Sequence, residues 1–258
     1  MQVPATLDVK KVVFGAFAVP WTNRAAFARA LAVPFAFVAL LGVVQALAAE
    51  DLPQPALWGM VVLHGLVFVL FAVTCHRLVL LDPLAVARTP MPRWTRRETR
   101  FLLKALAMWA LCMGVGFAFM AVFVFAAVPL LEELGPKWFA SILMPIFLLP
   151  MFYLVARLSL VLPATALDRR VGLGWAWDLS EGNSWRLFLV VGILPWVISA
   201  PSNLIDYTDP NVPVTAAVTI VGTALLVVEI AALSLAYREL TKHEPASPTP
   251  PPASPQTA

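Results

Sequence analysis

Residues 93–131, RWTRRETRFLLKALAMWALCMGVGFAFMAVFVFAAVPLL, set four arginines in eight positions directly against an apolar run. After Lys104 no charged residue occurs through Leu131. A membrane-crossing helix needs about 20 mostly apolar residues, so this run is long enough to span. The basic knot in front of it then reads as the flank of a span, the position where retained Lys and Arg set orientation.

The rest of the chain repeats the pattern. Uncharged stretches cover 30–49, 52–76, 138–156, 187–205 and 210–228, the last continuing past Glu229 to Tyr237. The 258 residues are 60% hydrophobic and 13% charged, with a mean hydropathy of +0.83. A soluble domain is nearer half apolar and a quarter charged, so this chain has too little polar surface to cover a water-facing globule. These features predict an all-α polytopic bundle of six transmembrane helices, over roughly 27–48, 56–76, 103–128, 139–162, 186–204 and 213–237.

Six spans put the N-terminus, the 77–104 loop, the 163–186 loop and the tail on one side. That side holds every Lys and Arg except Lys137 on the other side and Arg157 within the fourth span, and it includes Lys10, Lys11, Arg24, Arg29, Arg169, Arg170, Arg238 and Lys242. The other side carries Glu50, Asp51, Glu132, Glu133, Asp206 and Asp209. Both termini are therefore expected in the cytoplasm of a bacterial inner membrane.

On this topology Arg93, Arg96, Arg97 and Arg100 are expected to meet anionic lipid headgroups, at about 1 kcal/mol each. Trp94 would sit at the interface, where amphipathic aromatics are favoured. Nucleic acid is excluded as a partner: no finger, helix-turn-helix or aromatic sheet motif accompanies the arginines. A homo-oligomer or a membrane-protein partner is compatible with the sequence, with Ala232/Ala236 as a weak small-residue pair.

Three parts follow from composition: a cytoplasmic amphipathic lead over 1–24, the transmembrane domain over 25–238, and a Pro-rich tail over 239–258 that cannot bury enough surface to fold. Lys10-Lys11 followed by VVFGAFAVPW resembles the start of a cleaved signal, but Asn23, Arg24 and Arg29 stand where a small-residue cleavage site belongs. The first span is therefore read as uncleaved. GAFAVPWTNRAAFARAL, PRWTRRETRFLLKAL and GWAWDLSEGNSWRLFLV each precede a hairpin, and the first and last align Asn23 with Asn183 and Phe17 with Trp177. A repeat would produce this pattern, and so would the general preference of membrane boundaries for Trp, Asn and Arg.

Two charges fall inside the predicted spans. Glu229 lies nine residues before Arg238, about 13 Å at helical rise, and Arg157 lies eleven before Asp168. Two arrangements fit them: a buried Arg157–Glu229 pair joining the fourth and sixth helices, or an Arg157 that snorkels from the end of a shortened fourth helix. Pro145, Pro150 and Pro163 punctuate that helix. His64 reads as a hydrogen-bonded interior histidine, and Cys75 and Cys112 as small buried hydrophobes. No catalytic constellation, metal-ligand spacing or cofactor motif is present; Glu132-Glu133 lacks the histidines an intramembrane protease would need.

RLSLVLPATALDRRVGLGWAWDLSEGNSWRLF, at 157–188, together with the amphipathic lead and WTRRETRFL, resembles a broad group of six-span bacterial inner-membrane proteins. The group includes the YciC-like proteins and the membrane domain attached to some glycerophosphodiester phosphodiesterases. The resemblance implies the same six-span topology and transfers no catalytic residue. In the phosphodiesterases the enzyme is a separate soluble barrel. The reading reached here is a non-enzymatic membrane protein that organises membrane or envelope interactions, with a small transporter carrying a midplane Glu/Arg site as the alternative.

Overall fold

Polar residues at the helix ends, rather than the limits of the apolar runs, decide where the helices begin. Asp8 accepts a hydrogen bond from the Lys11 N–H at 3.0 Å and opens α1, Val9–Thr22. Thr95 and Glu98 form a capping box: the Thr95 N–H and hydroxyl both bond the Glu98 carboxylate, the N–H at 2.8 Å. Helix α5, Arg96–Leu134, therefore starts inside the basic knot, seven residues earlier than the hydropathy run implied.

The structure, a computed structural model, describes residues 6–48, 52–88, 93–134, 149–199 and 212–243. The regular structure of these residues is all helical, without strands. The remaining elements are α2, Arg24–Ala48; α3, Gln54–Leu80; α4, Pro83–Arg88; α6, residues 149–158; α7, Val161–Ala166; α8, Leu173–Leu179; α9, Ser184–Ser199; and α10, Val212–Leu240. Five segments are long and apolar enough to cross a membrane: α2, α3, α5, α6–α7 and α10. The pair α8–α9 makes a sixth if counted as one broken span, bent by 108°. This is the architecture of a multi-pass membrane protein.

Prolines account for the irregular segments. Pro163 cannot donate to the Ser159 carbonyl, and the helix loosens over residues 159–160 between α6 and α7. Within α9, Phe188–Ile193 widens to a π-helical turn just ahead of Pro195, whose ring would crowd the Val191 carbonyl in a regular helix. Pro145 and the first part of the predicted fourth span lie outside the described residues, as do residues 200–204 of the fifth. The Pro-rich stretch from 246 also lies outside them, whereas Glu239 and Leu240 complete α10 and Thr241–His243 form a 3-10 turn.

Helix α1 does not stand alone on a surface. Its Val12 and Ala16 are buried, and it runs antiparallel to the last turns of α10: Lys11 pairs with Glu239 at 3.1 Å, and a Cβ on Gly15 would come within 2.9 Å of Leu235 Cδ1. Asn23 and Asn183 are each the last residue before a long helix, α2 and α9 respectively, and each carbonyl accepts the first N–H of that helix's backbone ladder. The residues aligned in the sequence thus hold corresponding structural positions.

Helix α10 is the hub, touching α1, α2, α3, α7 and α9. Ala156, Ala164, Ala231, Ala232 and Ala236 are fully buried and let the backbones approach, as small residues do between membrane helices. Phe71, Leu78, Leu160, Leu187 and Val12 fill the space between them. This core lies at one end. All eight buried residues of α3 fall between Val69 and Val79, and those of α10 concentrate from Val228 to Leu240. It is the end that carries Lys11, Arg77, Arg97, Arg100 and Arg238.

Candidate functional site

The polar groups of the basic end form three linked arrangements. The first surrounds Arg157. Its position near the end of α6 leaves it only 7% exposed, so its guanidinium must be satisfied inside the protein. Nε donates to Ser180 Oγ at 2.7 Å, Nη2 donates to the Trp177 carbonyl at 2.7 Å, and the guanidinium lies 3.5 Å from the centroid of the Trp177 ring. Ser180 is fully buried and in turn donates to the same Trp177 carbonyl at 2.7 Å. The charge is thus held by neutral acceptors and a ring face, and among the described residues no carboxylate joins it.

Glu229 is therefore not brought to Arg157. It lies half-buried on α10, and among the described residues it has no ion pair. It lines a separate cavity of about 230 Å³ with Ser199, Gly222 and Leu226. Arg157 also does not snorkel; α8 folds back over it.

The second arrangement is a charge cluster on Asp168. This residue has φ 64°, the left-handed region, immediately after the α7 C-cap. The Arg169 N–H bonds the Ala164 carbonyl at 3.0 Å across it, closing a Schellman turn at the position usually given to glycine. An aspartate tolerates that conformation better than most residues, and here it aims the carboxylate at three cations. Arg100 Nη2 is 3.0 Å from Oδ1, Arg97 Nη1 is 3.2 Å from Oδ2 and Arg77 Nη1 is 4.0 Å from Oδ2. Arg97 also bonds the buried Glu98 at 3.0 Å, and Arg77 donates to the Ala166 carbonyl at 3.3 Å. The ends of α3, α5 and α7 are joined through one carboxylate.

The third arrangement ties down the N-terminal lead. The Leu7 N–H donates to Asn183 Oδ1 at 2.8 Å, and both residues are buried. Nearby, Arg169 donates to the Tyr237 hydroxyl at 3.0 Å and lies 5.1 Å from the Trp175 ring. Deeper in, His76 Nδ1 and Ser234 Oγ are 2.7 Å apart and both buried, and the Ser234 hydroxyl also reaches the Ile230 carbonyl at 2.8 Å.

Comparison with protein-family models, curated proteins and solved structures returns no match. The chain's own geometry therefore carries the functional reading.

The five residues expected at headgroups divide. Arg97 and Arg100 are engaged by Asp168, whereas Arg93 and Arg96 point outward. Trp94 is 41% exposed and donates its indole N–H to Thr99 Oγ1 at 2.9 Å. His64 finds Gln45 Oε1 at 2.8 Å, and Cys75 and Cys112 are free and buried. Among the described residues no three His, Cys, Asp or Glu side chains converge.

Sequence reasoning gave no bonding role to Asp168, Ser180, Asn183 or His76. Ser180 and Asn183 lie in the stretch that carries the resemblance, but nothing in the spacing links Ser180 to Arg157. A visible cue existed for Asp168, an acidic residue at the start of the basic DRR triplet just past a helix-compatible run.

Proposed function

We propose that this is a non-enzymatic inner-membrane protein of bacterial type that organises lipid or envelope interactions through its basic, aromatic face, with that face in the cytoplasm. The observation that carries the reading is a division of labour. At the basic end the buried Arg157, Ser180, Asn183, His76 and Ser234 are engaged in structural bonds, while Arg93, Arg96 and Trp94, with Phe14, Phe17 and Trp21 on α1, remain exposed. Phe14, Phe17 and Trp21 recur at three- and four-residue spacing, so they share one face of α1 opposite the buried Val12–Ala16 side. Such a face suits the headgroup layer, and the exposed Arg93 and Arg96 suit its anionic lipids. The likeness of the chain to the six-span YciC-like group fits this topology.

The test is lipid selectivity in mixed phosphatidylglycerol–phosphatidylcholine nanodiscs, read by spin-labelled lipid. Arg93→Gln with Arg96→Gln is expected to lower the phosphatidylglycerol preference several-fold without loss of folded protein. An unchanged preference would count against the reading.

A second reading rests on the Glu229 cavity: a small transporter would place a cation or proton site there. Its support no longer includes Arg157. It expects Glu229→Gln to keep its membrane abundance while losing accumulation of a small cation in a substrate screen. Retained accumulation, or loss of the protein itself, would remove that reading.

A further inference from the structure

Between the α1–α2 bend and α10 runs a groove of about 420 Å³. Its walls are Phe27, Ala28, Ala32 and Phe35 on one side and Ala224 and Val227 on the other, and Arg24 is the one charged residue lining it. The small side chains of Ala28, Ala32 and Ala224 create the space, since larger groups at those positions would close it. Arg24 stands at the first residue of α2, and Trp21 lies beside it, with the guanidinium 5.7 Å from the ring centroid. Among the described residues no carboxylate pairs with Arg24.

The dimensions match one leaflet. From Arg24 to Ala48 the helix rises about 36 Å, slightly more than a hydrocarbon core of about 30 Å, so Arg24 falls at headgroup level when Ala48 reaches the opposite boundary. From Arg24 to Phe35 the rise is about 16 Å, close to half that core. A slot one leaflet deep, apolar along its length and cationic only at its headgroup end, has the chemistry of a phospholipid carrying a net negative charge.

We propose that this groove is a specific site for one anionic phospholipid of the leaflet at the basic end, with an acyl chain between α2 and α10 and the phosphate on Arg24. The tryptophan beside the arginine gives the headgroup an amphipathic neighbour. This deepens the lipid-organising reading and rests on it: the exposed Arg93 and Arg96 would gather anionic lipid around the protein, and the groove would retain one molecule of it.

The experiment uses the full chain reconstituted in nanodiscs of equimolar phosphatidylglycerol and phosphatidylcholine, then released for native mass spectrometry. Wild-type protein is expected to keep one phosphatidylglycerol at least several-fold more often than one phosphatidylcholine. Arg24→Gln should remove that preference while leaving lipid in the groove. Ala32→Trp, on an exposed position that tolerates bulk, should empty the groove of both lipids. Thermal unfolding of each variant reports whether it is folded.

No retained lipid on the wild type would overturn the site. So would a preference that survives both Arg24→Gln and Ala32→Trp. If the preference survives both and falls only with Arg93→Gln and Arg96→Gln, the groove fails while the broader lipid reading stands. If neither pair of changes moves it, both fail.

Discussion

The two ends of the bundle are built differently although they share the same helices. In α3, His76, Leu78 and Val79 are buried, while Trp58, Val61 and Val62, on the same helix about four to six turns away, are exposed. In α5, Glu98 and Phe101 are buried near the start, and Phe117, Val122 and Phe125 stand outward farther along, Phe125 at 84% exposure. The basic end is a packed core crosslinked by polar bonds. Among the described residues, the other end is a set of apolar surfaces suited to lipid. The difference teaches that hydropathy, nearly uniform along these spans, says where a helix can cross and not where it is held. What holds it is a handful of polar residues at one boundary.

Substitutions should expose this contrast, and the largest effect is expected at Arg157. Arg157→Ala removes the hydrogen bonds to Ser180 and the Trp177 carbonyl, a longer one to the Tyr153 hydroxyl at 3.5 Å, and a ring stack from a buried site, which should cost about 2–4 kcal/mol in denaturation from detergent micelles. Arg157→Lys should recover little of it, because an ammonium cannot reproduce the fork that serves Ser180 and Trp177 together. Full recovery by lysine would mean that charge alone matters there.

A smaller effect is expected at Asp168, whose side chain is half-exposed and whose pairs are screened. Asp168→Ala should cost about 1–2 kcal/mol, combining the lost clamp with a left-handed backbone that alanine resists. Asp168→Gly should be milder, since glycine accepts that φ. Equal losses would show that the arginine cluster, not the backbone, sets the cost. The Asp168→Ala deficit should also shrink as salt is raised, when unfolding is compared at low and high ionic strength.

At Ser234 the loss of a buried partner for His76 should cost about 1 kcal/mol, read as a lowered unfolding midpoint of Ser234→Ala. The smallest effect belongs to the opposite half. Phe117→Ala should change stability by less than about 0.5 kcal/mol, since an exposed side chain leaves no internal cavity. A cost as large as that at Arg157 would mean that this surface is packed against something, and would break the comparison.

The sequence made the crossings legible because run length and charge are what a bilayer reads. Of the five residues read as facing headgroups, Arg93, Trp94 and Arg96 are exposed, while Arg97 and Arg100 are drawn to Asp168. Helix ends were less so. Helix α3 runs on through His76 and Arg77 to Leu80, because those polar groups find partners on α10 and α7 and do not need water. The partners themselves were hidden by distance along the chain. His76 and Ser234 are 158 residues apart, and Leu7 and Asn183 are 176 apart. Arg157 was read against Glu229 because both are charges set within spans. A neutral site of Ser180, a carbonyl and an indole face serves the guanidinium instead, and no charge pattern announces such a site.

The measurement that tests this account most directly is a pair of double-mutant cycles in nanodiscs, one joining Arg157→Gln to Ser180→Ala and the other joining it to Glu229→Gln. The account predicts a coupling of about 1–2 kcal/mol between Arg157 and Ser180 and additive effects for Arg157 with Glu229. Recovery of stability in the Arg157–Glu229 double variant, with Ser180 additive, would contradict it and pair Arg157 with Glu229 of α10 after all.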